Sequence, residues 1–334
     1  MKALKLAALV IASFIGLSQG TSKNIYDDVI GHKGLYYSAG AYCAYDTIAN
    51  WKCGTPCIKN SGLTSVVLIK NPVRDTFVYV GYNVAKNEVV VAFRGTNGAD
   101  LSNWITNIKA VSSPYPGVAG AEVHTGFQQA YNDVKAQLNQ AVKNLMSLHT
   151  TAKIFVTGHS LGGALAVFAA VDIKNNLFAK SSVTLYTYGQ PRVGNEAFSN
   201  FIFSKLDENY VRVTHYDDTV AHAPPRISGF KHAGNELWFK NKVMDSVRME
   251  CPNGAALEEN GNCSNSLWLK TGISSHINYM GIEVSGTCDR RQPGGTLKSG
   301  EEILDTESYA EYTYIIDEET SVIKSLLSQN VSLE

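Results

Sequence analysis

The sequence predicts an α/β fold with a mostly parallel β-sheet, and three observations support this prediction. The chain has 334 residues, 44% of them hydrophobic, which is enough for one large core. Short apolar, β-branched runs alternate with stretches of helical periodicity, as in parallel sheets covered by helices. No internal repeat stands out. One main domain over residues 21–288 is therefore expected.

Residues 1–20 predict a signal peptide. Met1 and Lys2 carry positive charge, a largely apolar run occupies residues 3–17, and small residues suited to cleavage surround Gly20. A membrane anchor is the alternative, but about 15 apolar residues are fewer than the roughly 20 that span a bilayer. Secretion, without a transmembrane segment, is therefore expected.

The first elements predicted within the domain are a strand and two helices. Residues 89–93 form a continuous apolar run, typical of a buried strand. A short amphipathic helix is predicted next, from the spacing of Leu101, Trp104, Ile105 and Ile108. A longer helix is predicted from the same periodicity in Phe127, Tyr131, Val134, Leu138, Val142 and Leu145.

The centre of the chain predicts a strand, a tight turn and a helix in succession. The β-branched run 154–157 precedes a glycine turn, and the apolar stretch 164–171 is typical of a helix packed on a sheet. Further strands are predicted at residues 183–188, 210–214 and 236–239.

A change of composition marks the end of the domain. Residues 289–334 contain ten acidic residues against four basic ones. They are interpreted as an acidic C-terminal extension. Over the whole chain, 29 Lys and Arg balance 30 Asp and Glu, with no basic block of the kind that binds nucleic acid. No nucleic-acid partner is therefore expected.

Six cysteines behind a signal peptide predict three disulfide bonds. Proximity in the sequence favours Cys53 with Cys57 and Cys251 with Cys263. Cys43 and Cys288 remain as a long-range pair. A zinc site is the alternative, but no second closely spaced pair of Cys or His completes a set of four ligands, so no metal is expected.

The motif that carries the chemistry is Gly158-His159-Ser160-Leu161-Gly162. A serine hydroxyl is a poor nucleophile until a base takes its proton, so the fold must expose the oxygen beside a histidine. Glycines permit the tight strand-to-helix turn that does this. Because the motif lies between a predicted strand and a predicted helix, Ser160 is interpreted as a nucleophile rather than as part of a structural turn. The adjacent His159 is interpreted as a pocket wall.

A catalytic acid and base are expected after Ser160, because α/β-hydrolases order their triad as serine, carboxylate, histidine. Asp218 follows the predicted strand 210–214, at the edge where such sites gather, and Asp217 is the alternative. His276 is favoured as the base because a late loop can fold back over the nucleophile. The competing histidines are His215, His222 and His232.

An oxyanion hole needs two hydrogen-bond donors. The amide of Leu161 is one candidate, because it follows the nucleophile at the start of a helix. Thr96, in the loop after the strand 89–93, is the other candidate. An ordinary turn in this loop is the alternative.

Five motifs in this order resemble the fungal-type, class three lipases of the α/β-hydrolase superfamily. They occupy residues 91–96, 124–127, 158–163, 189–194 and 215–220, and the resemblance covers about residues 30–288. It implies a triad of Ser160, Asp218 and His276, and an oxyanion hole of Thr96 and Leu161. It also implies the Cys43–Cys288 bond and an active site under a mobile lid.

The candidate lid is the amphipathic stretch 97–108, directly after Thr96. In water its apolar side chains Leu101, Trp104 and Ile105 would cover the site. At a lipid surface they would turn outward, where burial yields about 25 cal/mol per Å². A static surface helix is the alternative.

These observations predict a secreted serine ester hydrolase, most simply a triacylglycerol lipase acting at a lipid–water interface. An acyl-enzyme on Ser160 requires no metal or organic cofactor. Phospholipase A1 and feruloyl-type carboxylesterase are alternatives that the same fold can host. A noncatalytic lipid-binding protein is an alternative of another class. It has no need of three complementary residues such as Ser160, Asp218 and His276.

Overall fold

The computed structural model describes residues 26–288, apart from residues 97, 243–246, 253–258, 260 and 269. The predicted signal peptide 1–20 and the acidic extension 289–334 lie outside the described residues. So does Asn97, the first residue of the candidate lid.

Twelve strands are present in the described part of the chain: β1 (Leu63–Asn71), β2 (Thr76–Asn83), β3 (Glu88–Phe93), β4 (Ser112–Pro114), β5 (Glu122–His124), β6 (Lys153–His159), β7 (Val183–Tyr188), β8 (Tyr210–His215), β9 (Asn235–Phe239), β10 (Arg248–Cys251), β11 (Asn278–Tyr279) and β12 (Ile282–Glu283). The α-helices of this part are α1 (Asp28–Gly40), α2 (Tyr45–Ala49), α3 (Thr55–Lys59), α4 (Gly98–Asn107), α5 (Thr125–Leu148), α6 (Leu161–Asp172), α7 (Glu196–Leu206) and α8 (Ile273–Ile277).

Eight strands form the central sheet in the order β1-β2-β3-β6-β7-β8-β9-β10. Strands β3, β6, β7, β8 and β9 pair in parallel. The pairs β1–β2, β2–β3 and β9–β10 are antiparallel. The observed sheet therefore has the predicted mostly parallel character, with antiparallel strands at both edges.

Both faces of the sheet are covered, which explains the continuous apolar runs of its central strands. Successive residues of β3 alternate between two apolar clusters: Val91 packs with α5 and α6, whereas Val90 packs with α1 on the other face. Helix α6 is apolar all round because it is buried throughout, between the sheet and α5.

The register of the parallel strands aligns their carboxyl ends. Phe93 at the end of β3 pairs with Gly158 of β6, and His159 pairs with Tyr188 at the end of β7. Tyr188 in turn pairs with Val213 of β8. The loops that follow these strands therefore emerge along one edge of the sheet, where ligands of open α/β sheets bind.

Three disulfide bonds join Cys43 to Cys288, Cys53 to Cys57 and Cys251 to Cys263. These are the pairs expected from the sequence, and no described cysteine is free. The Cys43–Cys288 bond connects residues 245 positions apart, so it ties the segment after α1 to the end of the described chain. Among the described residues, no helix is both long and apolar enough to cross a membrane.

Candidate active site

Ser160 occupies the sharp turn between β6 and α6. Its φ of 60° lies in the left-handed region, which non-glycine residues rarely adopt. Strain of this kind persists only where the surrounding structure enforces it, and it is the signature of a nucleophile turn. The predicted turn is therefore present at the predicted serine.

Two glycines make this turn possible by allowing close backbone approach. A Cβ atom at Gly158 would overlap the carbonyl of Gly162, and one at Gly162 would lie 2.5 Å from the carbonyl oxygen of Phe93. The start of α6 is therefore pressed against the end of β3. This contact brings the amide of Leu161 to the loop that carries Thr96.

Asp218 and His276 form a buried pair. The Nδ1 atom of His276 lies 2.9 Å and 3.0 Å from the two carboxylate oxygens of Asp218, and neither side chain is exposed to solvent. Asp218 lies in the turn after β8, and His276 lies on the short helix α8. The two candidates are thus brought together across 58 residues of sequence.

The surroundings of Asp218 favour its ionised form. Burial alone would raise the pKa of the carboxyl group, but His276 and hydrogen bonds from Tyr279 and the amide of Val220 outweigh it, so the pKa lies below its ordinary value. A carboxylate only accepts hydrogen bonds, so Nδ1 of His276 carries a proton and Nε2 is left as the basic atom. The pair is therefore arranged to supply a general base.

Gly189 places this pair beside Ser160. A Cβ atom at Gly189 would lie 2.7 Å from Nδ1 of His276 and 2.8 Å from Asp218. The preceding residue, Tyr188, accepts a hydrogen bond from the amide of Ser160 at 2.9 Å. Both the hydroxyl of Ser160 and Nε2 of His276 are buried, and neither finds a hydrogen-bond partner among the described residues.

The alternative acid, Asp217, is hydrogen-bonded to a serine instead of a histidine. Asp217 accepts a hydrogen bond from the hydroxyl of Ser275 at 2.6 Å. The alternative bases bond to backbone carbonyl oxygens rather than to a carboxylate: His215 to Ser275 and Asn241, His222 to Asp218, and His232 to Ala221.

The candidate oxyanion donors lie on two segments that touch at Ser160. A Cβ atom at Gly95 would lie 2.6 Å from the carbonyl of His159 and 2.9 Å from Cβ of Ser160, so the loop before Thr96 packs directly on the nucleophile turn. Leu161 is the first residue of α6, and the first amides of a helix have no partner within it. The Thr96 hydroxyl is also buried without a partner in the described structure.

Two tyrosines that contact the candidate site residues were not identified from the sequence motifs. The hydroxyl of Tyr279 donates to Asp218, and the hydroxyl of Tyr42 contacts both Gly95 and His159. His159 was expected to be a pocket wall. It is instead buried and hydrogen-bonded on both ring nitrogens, at one end to Tyr42 and at the other to the carbonyl of His276.

A cavity of about 670 Å³ lies between α4 and the body of the domain. Its lining includes Thr96, Leu161, Trp104 and Phe127. Helix α4 turns its apolar side inward: Leu101 is 4% exposed, and the ring of Trp104 lies 6.1 Å from that of Phe127. Ser160, the candidate nucleophile, is only 1% exposed in this arrangement.

A strained serine turn, a carboxylate–histidine pair and two candidate amide donors on segments that meet at Ser160 can together carry out acyl transfer. On a mostly parallel sheet covered by helices, these features define a serine hydrolase with the α/β-hydrolase fold. The family model described as lipase (class 3) matches residues 90–228 of this chain.

Known proteins agree with this class. A lipase of Rhizomucor miehei is 34% identical over 256 residues, which is 75% of this chain and 68% of that protein. The secreted mono- and diacylglycerol lipase 1 of Fusarium solani is 36% identical over 216 residues, or 63% of each chain. A solved triacylglycerol lipase, described as having a serine protease triad at its catalytic centre, matches with a TM-score of 0.68 and 33% identity, over 76% of this chain and 94% of that one. The chain therefore belongs to the class 3 lipase family and is a carboxylic ester hydrolase.

Proposed function

We propose that this lipase is secreted and hydrolyses acylglycerols at a lipid–water interface through an acyl-enzyme on Ser160. The observation that carries the proposal is the buried Asp218–His276 pair, joined at 2.9 Å, beside the strained Ser160 turn. A binding protein has no need to keep a carboxylate and a histidine in this relation, with the basic nitrogen left without a partner.

The reaction follows from the roles of the Ser160 hydroxyl, the His276 imidazole and the two backbone amides of the oxyanion hole. Nε2 of His276 takes the hydroxyl proton of Ser160 as its oxygen attacks the ester carbonyl. The amides of Thr96 and Leu161 stabilise the resulting oxyanion. His276 then gives its proton to the departing alcohol, and a water molecule resolves the acyl-enzyme by the same steps, which releases the fatty acid and restores the serine.

Helix α4 acts as the lid in this proposal. Ser160 is 1% exposed, and α4 contributes Trp104 to the lining of the cavity beside Thr96 and Leu161, so movement of α4 is expected to admit substrate to the serine. A lipid surface offers an alternative partner for Leu101, Trp104 and Ile105, so it lowers the cost of opening. The amphipathic composition of α4 supports this two-state behaviour over a static helix.

The substrate class is supported by the relatives, which are named for lipase and for mono- and diacylglycerol lipase activity. Secretion is supported by a relative named as secreted and by the three disulfide bonds, which form in oxidising compartments. Residues 1–20 are the proposed signal peptide.

A rate series tests the substrate assignment. Soluble esters of rising chain length are followed by emulsified triacylglycerol, phospholipid and feruloyl esters, with Ser160→Ala as the blank. The proposal predicts the highest rate on emulsified triacylglycerol and a rise in rate where the substrate forms an emulsion. A peak on short soluble or feruloyl esters would replace it with an esterase, and a peak on phospholipid would replace it with a phospholipase.

A further inference from the structure

Tyr42 joins two parts of the active site that are distant in the sequence. Its hydroxyl accepts a hydrogen bond from the amide of Gly95 at 3.1 Å and lies 2.8 Å from Nδ1 of His159. Nε2 of His159 lies 2.8 Å from the carbonyl oxygen of His276. Three hydrogen bonds, named here the Tyr42 relay, therefore connect the loop that carries Thr96 to the backbone of the proposed base.

The chemistry of each group sets the direction of the relay. A carbonyl oxygen only accepts, so Nε2 of His159 must carry a proton. Burial, together with repulsion from His276, lowers the pKa of His159 to about 3, so the ring is neutral near pH 7 and its Nδ1 accepts. Tyr42 therefore donates to Nδ1 and accepts from Gly95. Each polar atom of the relay has a complementary partner, and phenylalanine at position 42 would leave two of them without one.

The relay acts where small displacements affect the reaction. The backbone of Gly95 packs on Ser160, and the next amide along the chain, that of Thr96, is a proposed oxyanion donor. Such donors are effective only when they are held in place before charge develops, and misplacement by about 1 Å can cost 100-fold in rate. The hydrogen bond from Gly95 to Tyr42 restrains this loop directly.

The segment that carries Tyr42 is itself anchored. The amide of Tyr42 donates to the carbonyl of Ala39 at the end of α1, and the next residue, Cys43, is bonded to Cys288. The hydroxyl of Tyr42 is therefore presented from a cross-linked part of the fold rather than from a free loop.

We propose that Tyr42 is a positioning residue, which aligns the Thr96 loop with His276 through the Gly95 amide and His159. The inference rests on the proposed function, because it assigns roles to groups that serve the acyl transfer at Ser160.

The test compares Tyr42→Phe with Tyr79→Phe. The control removes a buried hydroxyl that donates to the carbonyl of Tyr37 at 2.8 Å and takes no part in the relay. For a soluble ester, Tyr42→Phe is expected to lower kcat about tenfold, less than the 100-fold or more that follows loss of a whole oxyanion donor, with KM within twofold. The rate of labelling by a fluorophosphonate should fall in the same proportion, because its phosphoryl oxygen occupies the same hole. Tyr79→Phe should leave both rates within twofold.

A second pair of variants keeps the test decisive if Tyr42→Phe folds poorly. Glutamine carries both a donor and an acceptor, so His159→Gln should retain several times the kcat of His159→Leu. In both variants kcat is calculated per active site, with the concentration of folded, competent sites measured by titration. The relay is overturned if Tyr42→Phe keeps kcat within twofold, or if Tyr79→Phe loses as much. If the wild-type protein is neither labelled nor active, the proposed function fails instead.

Discussion

At the residue scale, two adjacent aspartates have different environments. Asp218 is fully buried and accepts hydrogen bonds from His276, Tyr279 and the amide of Val220. Asp217 bonds to Ser275. Both follow the same predicted strand, so their place after it does not separate them, and only the resemblance of residues 215–220 to the class three lipases favours Asp218. The structure separates them because only Asp218 lies against the imidazole of His276.

Asp218→Asn should therefore lower kcat by about 10⁴-fold, as the equivalent change does in serine proteases, because an amide no longer holds the imidazole in the required tautomer. KM for a soluble ester should change little. The matched control is Asp217→Asn, for which kcat should stay within a few-fold. Steady-state rates decide the matter, and equal losses in the two variants would mean that the acid is misassigned.

At the element scale, the turn between β6 and α6 depends on backbone packing that no side chain can replace. Gly158 faces the carbonyl of Gly162, and Gly162 faces the carbonyl of Phe93. These contacts set the distance between the nucleophile and the Thr96 loop.

Gly158→Ala should destabilise the fold by about 3 kcal/mol, since the added carbon meets rigid backbone rather than a movable side chain. Gly261→Ala is the control, because no atom of the described residues lies within 4 Å of a Cβ atom at that position. Urea unfolding of both variants measures the difference. A Gly158→Ala protein as stable as the control would show that the turn can relax.

The lid proposal also belongs to this scale. Trp104→Ser removes the ring that packs near Phe127, so it weakens the closed position of α4. It also reduces the apolar area of α4 that can contact a lipid surface. The ratio of the rate on emulsified triacylglycerol to the rate on a soluble ester should fall several-fold. Ile58→Ser, at an isoleucine that is already exposed on α3, should leave the ratio unchanged. An unchanged ratio in Trp104→Ser would favour a static helix.

The central elements could be predicted from the sequence because both faces of their strands are buried, which leaves continuous apolar runs such as residues 89–93. Strand β10 and helix α1 could not. β10 is a short edge strand with polar residues. Helix α1 contains glycines at 31, 34 and 40 that disfavour a helix locally. Gly34 is required by packing, because a Cβ atom there would lie 2.6 Å from the hydroxyl of Tyr188.

The candidate site, like the fold, could be predicted only in part from the sequence. Ser160, Asp218 and His276 follow from motif and order, but Tyr42 and Tyr279 do not. Their contacts join residues 117 and 61 positions apart, and a single sequence carries no local pattern for such pairs.

At the scale of the whole molecule, buried histidines make the fold sensitive to acid. Burial lowers the pKa of His124, His159, His222 and His232 below the ordinary value of 6.5, to about 3 for His159. Between the lowered pKa of the folded protein and the ordinary value of 6.5, these histidines bind more protons in the unfolded chain than in the folded one. The stabilisation is therefore complete above about pH 6.5 and is lost as the pH falls towards 3.

The free energy of unfolding should accordingly decrease between pH 7 and pH 5, as measured by urea unfolding at a series of pH values. His159→Gln removes one of the titrating groups, so its slope in this range should be shallower than that of the wild-type protein. A wild-type stability that does not change over the range would contradict this account of the buried histidines.

The central claim is that Ser160 is an activated nucleophile served by Asp218 and His276. It is tested most directly by treating the folded protein with a fluorophosphonate and locating the adduct by intact mass and peptide mapping. We expect one adduct, on the peptide that contains Ser160, with none on Ser160→Ala and much slower labelling of His276→Ala. An unlabelled wild-type protein, or equal labelling of Ser160→Ala, would contradict the claim.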